Sequence, residues 1–125
     1  MNNIETFKIK SKTQNHCWHP LEIKEILPQA EKFFGKGKIR LYKGKGCEAC
    51  NYTGYVGRIG IFEILPASTE LRELILTKPT ISEIYKLEEA QGIKSIFEDG
   101  LEKVKNGITT LEEVLRVSRP RNNYK

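Results

Sequence analysis

Residues 43–63 of the chain read KGKGCEACNYTGYVGRIGIFE and hold five of its ten glycines and two of its three cysteines. Cys47 and Cys50 are two residues apart, so their thiols converge in a tight turn. Glycines on both sides let backbone amides approach the sulfurs. This spacing is typical of a zinc knuckle, and a tight turn with two buried thiols is the alternative. A second pair of metal ligands would favour the knuckle.

Candidate ligands for that second pair lie near the N-terminus, at His16, Cys17 and His19. Either His16 with His19 or Cys17 with His19 would serve, because histidine commonly replaces cysteine in tetrahedral zinc sites. We therefore predict one zinc ion held by Cys47 and Cys50 together with two of these three residues. Four protein ligands leave no open coordination position, so the metal is expected to be structural.

The composition bounds the class of protein. A chain of 125 residues and 14.4 kDa is long enough for one domain. The sequence contains no G-x-x-x-x-G-K-[ST] phosphate loop and no recognisable order of nucleophile, base and acid. We therefore expect no enzyme activity from the chain itself.

The cysteine count and the hydropathy pattern indicate a compartment. Three cysteines, an odd number, argue against a disulfide framework and for a reducing environment. The sequence shows no secretory signal pattern and no apolar run of about eighteen residues that would cross a membrane. We expect a cytoplasmic protein without a transmembrane segment.

The formal net charge is +5, and part of the excess lies in a basic cluster. Such a cluster is usually a solvated loop, but aromatic residues interleaved with it allow an alternative function, a zinc-ribbon module that binds nucleic acid. We favour the solvated loop and do not expect nucleic acid as a partner. The basic residues are Lys32, Lys36, Lys38, Arg40, Lys43 and Lys45, and the aromatic residues are Phe33, Phe34 and Tyr42.

The first half of the chain is predicted to form short strands around the cysteines. Weak alternation in residues 1–15 would suit one edge strand, and we expect that segment to be weakly ordered. Pro20 is predicted to begin a short helix. Residues 39–42 and 56–65 alternate as strands, and we expect them to pair as a hairpin with the metal at its end.

After Pro66 the apolar period changes from two to 3.6, which indicates helices. Ser68 is predicted to cap the first helix, and Thr80 with Glu83 forms a capping box for the second. A third helix is expected to end near residue 107, and Thr109 is predicted to cap a fourth through a capping box with the glutamate three residues later. The fold class is α+β, with segments 1–15 (weakly ordered), 16–65 (knuckle and strands), 66–118 (four helices) and 119–125 (polar tail).

Several sequence pieces, taken in order, resemble one family. They are residues 40–50 (RLYKGKGCEAC), 53–55 (TGY), 57–63 (GRIGIFE), 71–75 (LRELI), 98–104 (EDGLEKV) and 107–117 (GITTLEEVLRV). Together they resemble the C-terminal zinc-binding region of the ATPases that drive type II secretion and type IV pilus assembly. The resemblance covers roughly residues 16–118. It departs from the family at the first ligand pair, where Pro20 stands at the place of a cysteine.

The resemblance implies a non-catalytic accessory domain with a structural zinc. Such a domain would pack on the ATPase core, take part in contacts between the subunits of a hexamer, and couple to the inner-membrane platform protein. ATP would be a ligand only of the full-length protein, not of this region by itself. Nothing in residues 1–15 resembles the end of an ATPase core, which suggests a fragment or a stand-alone relative.

Arg58 is the candidate interface residue, since it stands between two glycines at the start of a predicted strand. Its guanidinium suits bidentate contact with an acidic or phosphate group, and the resemblance implies that this group lies on the ATPase core. The alternative is an exposed arginine paired with Glu63 or Glu98, which would contribute less than about 1 kcal/mol.

Overall fold

The computed structural model describes residues 2–8, 18–22, 33–35 and 40–120. Within these residues, four strands precede four helices of seven or more residues, and a 3₁₀ turn at Glu48–Cys50 joins the third strand to the fourth. This arrangement confirms the predicted α+β class. The elements are β1 (Asn2–Lys8), β2 (Trp18–Glu22), β3 (Arg40–Gly44), β4 (Arg58–Ile64), α1 (Thr69–Leu76), α2 (Ile81–Ala90), α3 (Ile96–Lys105) and α4 (Leu111–Val117).

β1 and β4 form a two-stranded antiparallel sheet. The register runs from Asn2 opposite Ile64 to Lys8 opposite Arg58, so the whole of β4 is paired along one edge. A strand in this N-terminal segment agrees with the weak alternation of its sequence. The division of the chain into four segments stays a prediction.

β2 and β3 form a second two-stranded antiparallel sheet. Its register runs from Trp18 opposite Gly44 to Glu22 opposite Arg40. The prediction that Pro20 begins a helix was wrong, because Pro20 lies within β2. Proline lacks only the amide hydrogen, and a two-stranded sheet leaves each strand one edge where that hydrogen is not needed.

The prediction that β3 and β4 pair with each other was also wrong, because each pairs with a strand nearer the N-terminus. A hairpin is usually closed by two to five residues. Here residues 45–57 separate the two strands, and part of this connection forms a 3₁₀ turn with hydrogen bonds of its own. The two strands therefore leave the turn in different sheets.

The helices begin at caps that largely follow the sequence signals. Ser68 accepts a hydrogen bond from the backbone amide of the third residue of α1, and Thr80 and Glu83 form the predicted capping box of α2. The cap of α4 is Thr110, one residue later than predicted. Thr109 is fully buried, so its side chain contributes to packing.

The main hydrophobic core lies where β3, α3 and α4 meet. Gly100 brings the two helices close together, since a Cβ there would lie 2.7 Å from a methyl carbon of Val114. A larger residue would force α3 and α4 apart. The buried members of the core are Leu41, Phe97, Leu101, Val104 and Val114, and Phe33, Phe34, Leu111 and Leu115 pack against them.

Two hydrogen bonds join β4 to α3 reciprocally. The buried Glu63 carboxylate accepts from the backbone amide of Ile96 at 2.8 Å, which satisfies a free amide in the first turn of the helix. In return the Asp99 carboxylate accepts from the amide of Phe62 at 2.9 Å. Because β1 occupies the other edge of β4, both edges of this strand have partners.

Candidate functional site: the cysteine turn and the outer face of β4

The cysteine turn, which we define as residues 47–54, is held by its own backbone. The carbonyl oxygen of Cys47 accepts hydrogen bonds from the amides of Cys50 at 3.1 Å and Tyr52 at 2.8 Å. Asn51 and Tyr52 both have left-handed backbone conformations, with φ of 52° and 60°. The turn therefore reverses the chain within a few residues and brings both sulfurs to one side.

Glycines make this reversal possible by close backbone contacts. Gly46 has a φ of +88°, and a Cβ at this position would lie 2.5 Å from the carbonyl oxygen of Tyr52. A Cβ on Gly44 would lie 2.6 Å from the Cα of Gly54. Any side chain at these positions would collide with backbone, so the end of β3 packs on the turn only because they are glycines.

The two cysteine sulfurs converge as the spacing predicts. The Sγ atoms of Cys47 and Cys50 lie 3.7 Å apart, and Cys50 is 3% exposed. The Cys50 sulfur accepts hydrogen bonds from the amides of Cys47 at 3.1 Å and Gly54 at 3.2 Å. In a tetrahedral site with zinc–sulfur bonds of about 2.3 Å, two sulfurs lie about 3.8 Å apart, so the observed separation fits a shared zinc ion.

The other proposed ligands are placed only in part. His16 and Cys17 lie outside the described residues. His19 lies in β2 opposite Lys43, and the first described residue of that strand, Trp18, lies opposite Gly44. Among the residues that the structure describes, no group of three or more histidine, cysteine, aspartate or glutamate side chains comes together.

A hydrogen bond connects the residue after the cysteine turn to the helices. The hydroxyl groups of Tyr55 and Thr110 lie 2.7 Å apart, and the Thr110 hydroxyl also accepts from the backbone amide of Glu113. Burial raises the pKa of Tyr55 above its ordinary value, and the nearby carboxylates of Glu112 and Glu113 act in the same direction, whereas the hydrogen bond to Thr110 lowers it. The phenol is therefore a neutral structural contact.

Arg58 is exposed at the start of β4. Within the part of the chain that the structure describes, it takes part in none of the ion pairs. Glu63 accepts from the first turn of α3, and the Glu98 carboxylate accepts from the amide and hydroxyl of Ser95 at the cap of the same helix. Both proposed glutamate partners therefore make other contacts.

The outward-facing residues of β4, Arg58, Gly60, Phe62 and Ile64, form what we call the outer face. Phe62 is 45% exposed and Ile64 is 60% exposed. The ring of Phe62 lies over Gly60, where a Cβ would be only 2.6 Å from the ring. The outer face thus presents two large apolar side chains next to a cationic one.

The sequence interpretation missed Glu63 and the pair Tyr55 and Thr110. Glu63 carried a detectable signal, because it follows Ile59 and Ile61 at the inward positions of a strand, where an acidic residue needs a buried partner. The contact between Tyr55 and Thr110 joins residues that are distant in the chain, and no local pattern marks it.

None of the helices in the described part of the chain is long and apolar enough to span a bilayer.

Comparison with known proteins identifies the family. Residues 4–116 match the family model described as type II/IV secretion system protein, so the chain belongs to that family. It is 50% identical over 76 residues, 61% of the chain, to the type IV pilus assembly ATPase PilB of Thermus thermophilus. It is 41% identical over 105 residues, 82% of the chain, to the type II secretion system ATPase E of Vibrio cholerae.

A third relative matches nearly the whole chain. The type IV pilus assembly ATPase PilB of Pseudomonas aeruginosa is 31% identical over 121 residues, 95% of the chain. The matched regions cover 8%, 20% and 21% of the Thermus, Vibrio and Pseudomonas proteins, respectively. The chain therefore spans a small part of the length of these relatives.

Proposed function

We propose that this chain is the non-catalytic, zinc-binding C-terminal region of a type II secretion or type IV pilus assembly ATPase. The observation that carries the proposal is the geometry of the cysteine turn, whose two sulfurs lie 3.7 Å apart with amide donors directed at Cys50. Amides that point at a sulfur stabilise the negative charge of a metal-bound thiolate. Cys47 and Cys50 would hold a structural zinc, with two of His16, Cys17 and His19.

The role of such a metal would be to fix the end of the β2–β3 sheet to the cysteine turn. β2 ends beside the point where β3 enters the turn, since Trp18 lies opposite Gly44. Cys17 precedes Trp18 directly in the chain. A zinc ion shared by the two segments would tie the start of β2 to the cysteine turn that follows β3, and its binding free energy would add to the stability of the fold.

The zinc part of the proposal is tested by elemental analysis of purified protein. We expect about one zinc per chain and a lower melting temperature after chelation. Cys47→Ser and Cys50→Ser should remove the metal, whereas Glu48→Gln, an exposed change within the same turn, should retain it. Metal-free protein whose melting temperature does not respond to zinc or to a chelator would disprove a structural zinc.

The outer face of β4 is proposed to pack on the ATPase core, in the same or a neighbouring subunit of a hexamer. Phe62 and Ile64 supply apolar area there, and Arg58 supplies a guanidinium suited to an acidic or phosphate group. Through this contact the region would also couple the ATPase to the inner-membrane platform. The exposed face supports this proposal, and membership of the family suggests the ATPase core as the partner.

The interface role is tested by replacing the arginine that corresponds to Arg58 in a full-length relative with alanine. Hexamer formation or ATP turnover should fall while the melting temperature of the isolated region is unchanged. The matched control is alanine at the position of Arg72, which is exposed on α1. Normal hexamer assembly and ATP turnover in the Arg58 variant would show that the Arg58 side chain is only a solvated charge with no interface role.

The non-catalytic role rests on the missing phosphate loop, since the glycine-rich stretch lacks the spacing that cradles phosphates. We expect the isolated chain neither to bind ATP at micromolar concentration nor to hydrolyse it. ATP hydrolysis that co-purifies with the chain through two successive columns would refute this assignment.

A further inference from the structure

We propose that Cys47 and Cys50 form a reversible intrachain disulfide in protein that is not loaded with metal. Their sulfurs lie 3.7 Å apart in a turn whose backbone is already closed by hydrogen bonds to the Cys47 carbonyl. A disulfide bond is about 2.05 Å long, so the sulfurs must approach each other, which side-chain rotation within a C-x-x-C turn allows. This inference is independent of the proposed place of the chain in an ATPase.

The two thiols differ in their exposure and in their hydrogen bonds, so they can take different roles in forming a disulfide. Cys47 is partly exposed and within reach of an oxidant, whereas Cys50 is buried. The buried sulfur receives amide hydrogen bonds from Cys47 and Gly54, which stabilise negative charge on it. Because Cys47 is the more exposed thiol, it is the one that hydrogen peroxide reaches first. The amide hydrogen bonds to the Cys50 sulfur favour its role as the nucleophile that then attacks the Cys47 sulfur and completes the bond.

The reaction balances with hydrogen peroxide as the oxidant. The Cys47 sulfur attacks one peroxide oxygen and the O–O bond breaks. This gives a sulfenic acid, and the other oxygen leaves as hydroxide, which takes up the thiol proton. The Cys50 sulfur then attacks the Cys47 sulfur, the S–O bond breaks, and the second oxygen leaves as hydroxide, which takes up a proton. Two thiols and one peroxide therefore give one disulfide and two waters, and a dithiol reductant reverses the bond by thiol–disulfide exchange.

Oxidation and metal binding would use the same two sulfurs and so exclude each other. A metal ligand must be a free thiolate, and a disulfide sulfur no longer binds zinc. The turn would then have two closed forms, one metal-bound and one oxidised, with similar backbone paths. An oxidising environment would favour the second form.

The test is peptide mapping of the full chain, first freed of metal with a chelator and then exposed to graded hydrogen peroxide, with free thiols alkylated before digestion. Trypsin releases both cysteines of the turn in one peptide, residues 46–58, and Cys17 in a separate peptide, residues 13–24. We expect the first peptide to lose two hydrogens and both alkylation sites together. The Cys17 peptide should stay alkylated, and dithiothreitol should restore all three thiols.

Variants and a metal control separate this inference from the zinc proposal. Cys17→Ser should oxidise like the unmodified sequence, and Cys47→Ser should form no intrachain disulfide. Zinc is measured in the same samples, so disulfide formation in metal-free protein supports this inference even if no zinc site exists. Cross-links between Cys17 and the turn, or thiols of the turn that react singly to sulfinic acid, would overturn it.

Discussion

The cysteine turn and the pair of helices α3 and α4 are both densely packed, but different forces hold them. In the turn, backbone meets backbone, as where Gly46 meets Tyr52, and the hydrogen bonds are mostly local. In the helices, fully buried aliphatic side chains such as Leu101 and Val104 supply the contacts. The turn therefore depends on the absence of side chains, and the helices depend mainly on buried ones, so adding a side chain should disrupt the turn and removing one should disrupt the helix core.

The largest effect is expected where a side chain is added to the turn. Gly46→Ala should lower the free energy of unfolding by about 4 kcal/mol, because a Cβ 2.5 Å from a carbonyl oxygen adds overpacking to a left-handed backbone. Chemical denaturation measures the change. Gly92→Ala is the matched control, since Gly92 has a φ of +66° with nothing within 4 Å, and should cost only about 1 kcal/mol. Equal losses in both variants would mean that backbone conformation alone explains the effect.

The next effect is expected where a side chain is removed from the helices. Leu101→Ala should lower the free energy of unfolding by about 3 kcal/mol, because Leu101 is fully buried in the main core and leaves a cavity. The control is Leu76→Ala, since Leu76 is 84% exposed and should change stability by less than about 0.5 kcal/mol. A Leu101 variant as stable as this control would contradict the proposed core.

A smaller effect is expected at the contact between the two regions. Tyr55→Phe removes the hydroxyl that lies 2.7 Å from the Thr110 hydroxyl and should cost about 1 kcal/mol. A double-mutant cycle with Thr110→Val isolates this hydrogen bond from the role of Thr110 as a helix cap. Tyr52→Phe is the control, because that side chain is 75% exposed. A coupling energy near zero would show that the turn and the helices are energetically independent here.

The smallest effect is expected at the helix caps and depends on pH. Hydrogen bonds from the backbone and side chain of Thr80 lower the pKa of Glu83 below its ordinary value of 4.5. A lowered folded-state pKa gives stability that is present above 4.5 and is lost as the pH falls through the folded-state value. Glu83→Gln should therefore flatten the loss of stability in acid, as thermal melts below pH 5 would show. The control, Glu89→Gln, changes an exposed glutamate on the same helix, and an identical acid profile in both variants would exclude the cap as the cause.

Local signals in the sequence were sufficient to predict where two of the helices begin. The hydroxyl of Ser68 and the pair of Thr80 and Glu83 mark helix starts through contacts within three residues, and the structure has them. The start of α4 was harder, because Thr109 and Thr110 are each followed three residues later by a glutamate. Burial of Thr109 decides between them, and burial depends on the rest of the fold.

Strand pairing could not be predicted, for a different reason. The alternation of apolar residues predicts that β4 is a strand and which of its faces is buried. It does not predict the pairing partner, because the backbone hydrogen bonds at a strand edge can be made with any strand of suitable length. The C-x-x-C spacing did predict that the sulfurs of Cys47 and Cys50 converge. The close contact of Gly44 with Gly54 could not be predicted, because nothing in the local sequence distinguishes these glycines from the others. Zinc binding at this turn, and the identity of any further ligands, stay predictions.

The pairing of β1 with β4 has an evolutionary consequence. β4 contacts the helices through inward side chains such as Ile61, but it holds β1 by backbone hydrogen bonds, which do not depend on the identity of side chains. Mutations in Asn2–Lys8 that keep an extended backbone should therefore be nearly neutral for pairing. β1 also contacts α3 and α4, so a strand that replaced it would have to keep those contacts as well as an extended backbone.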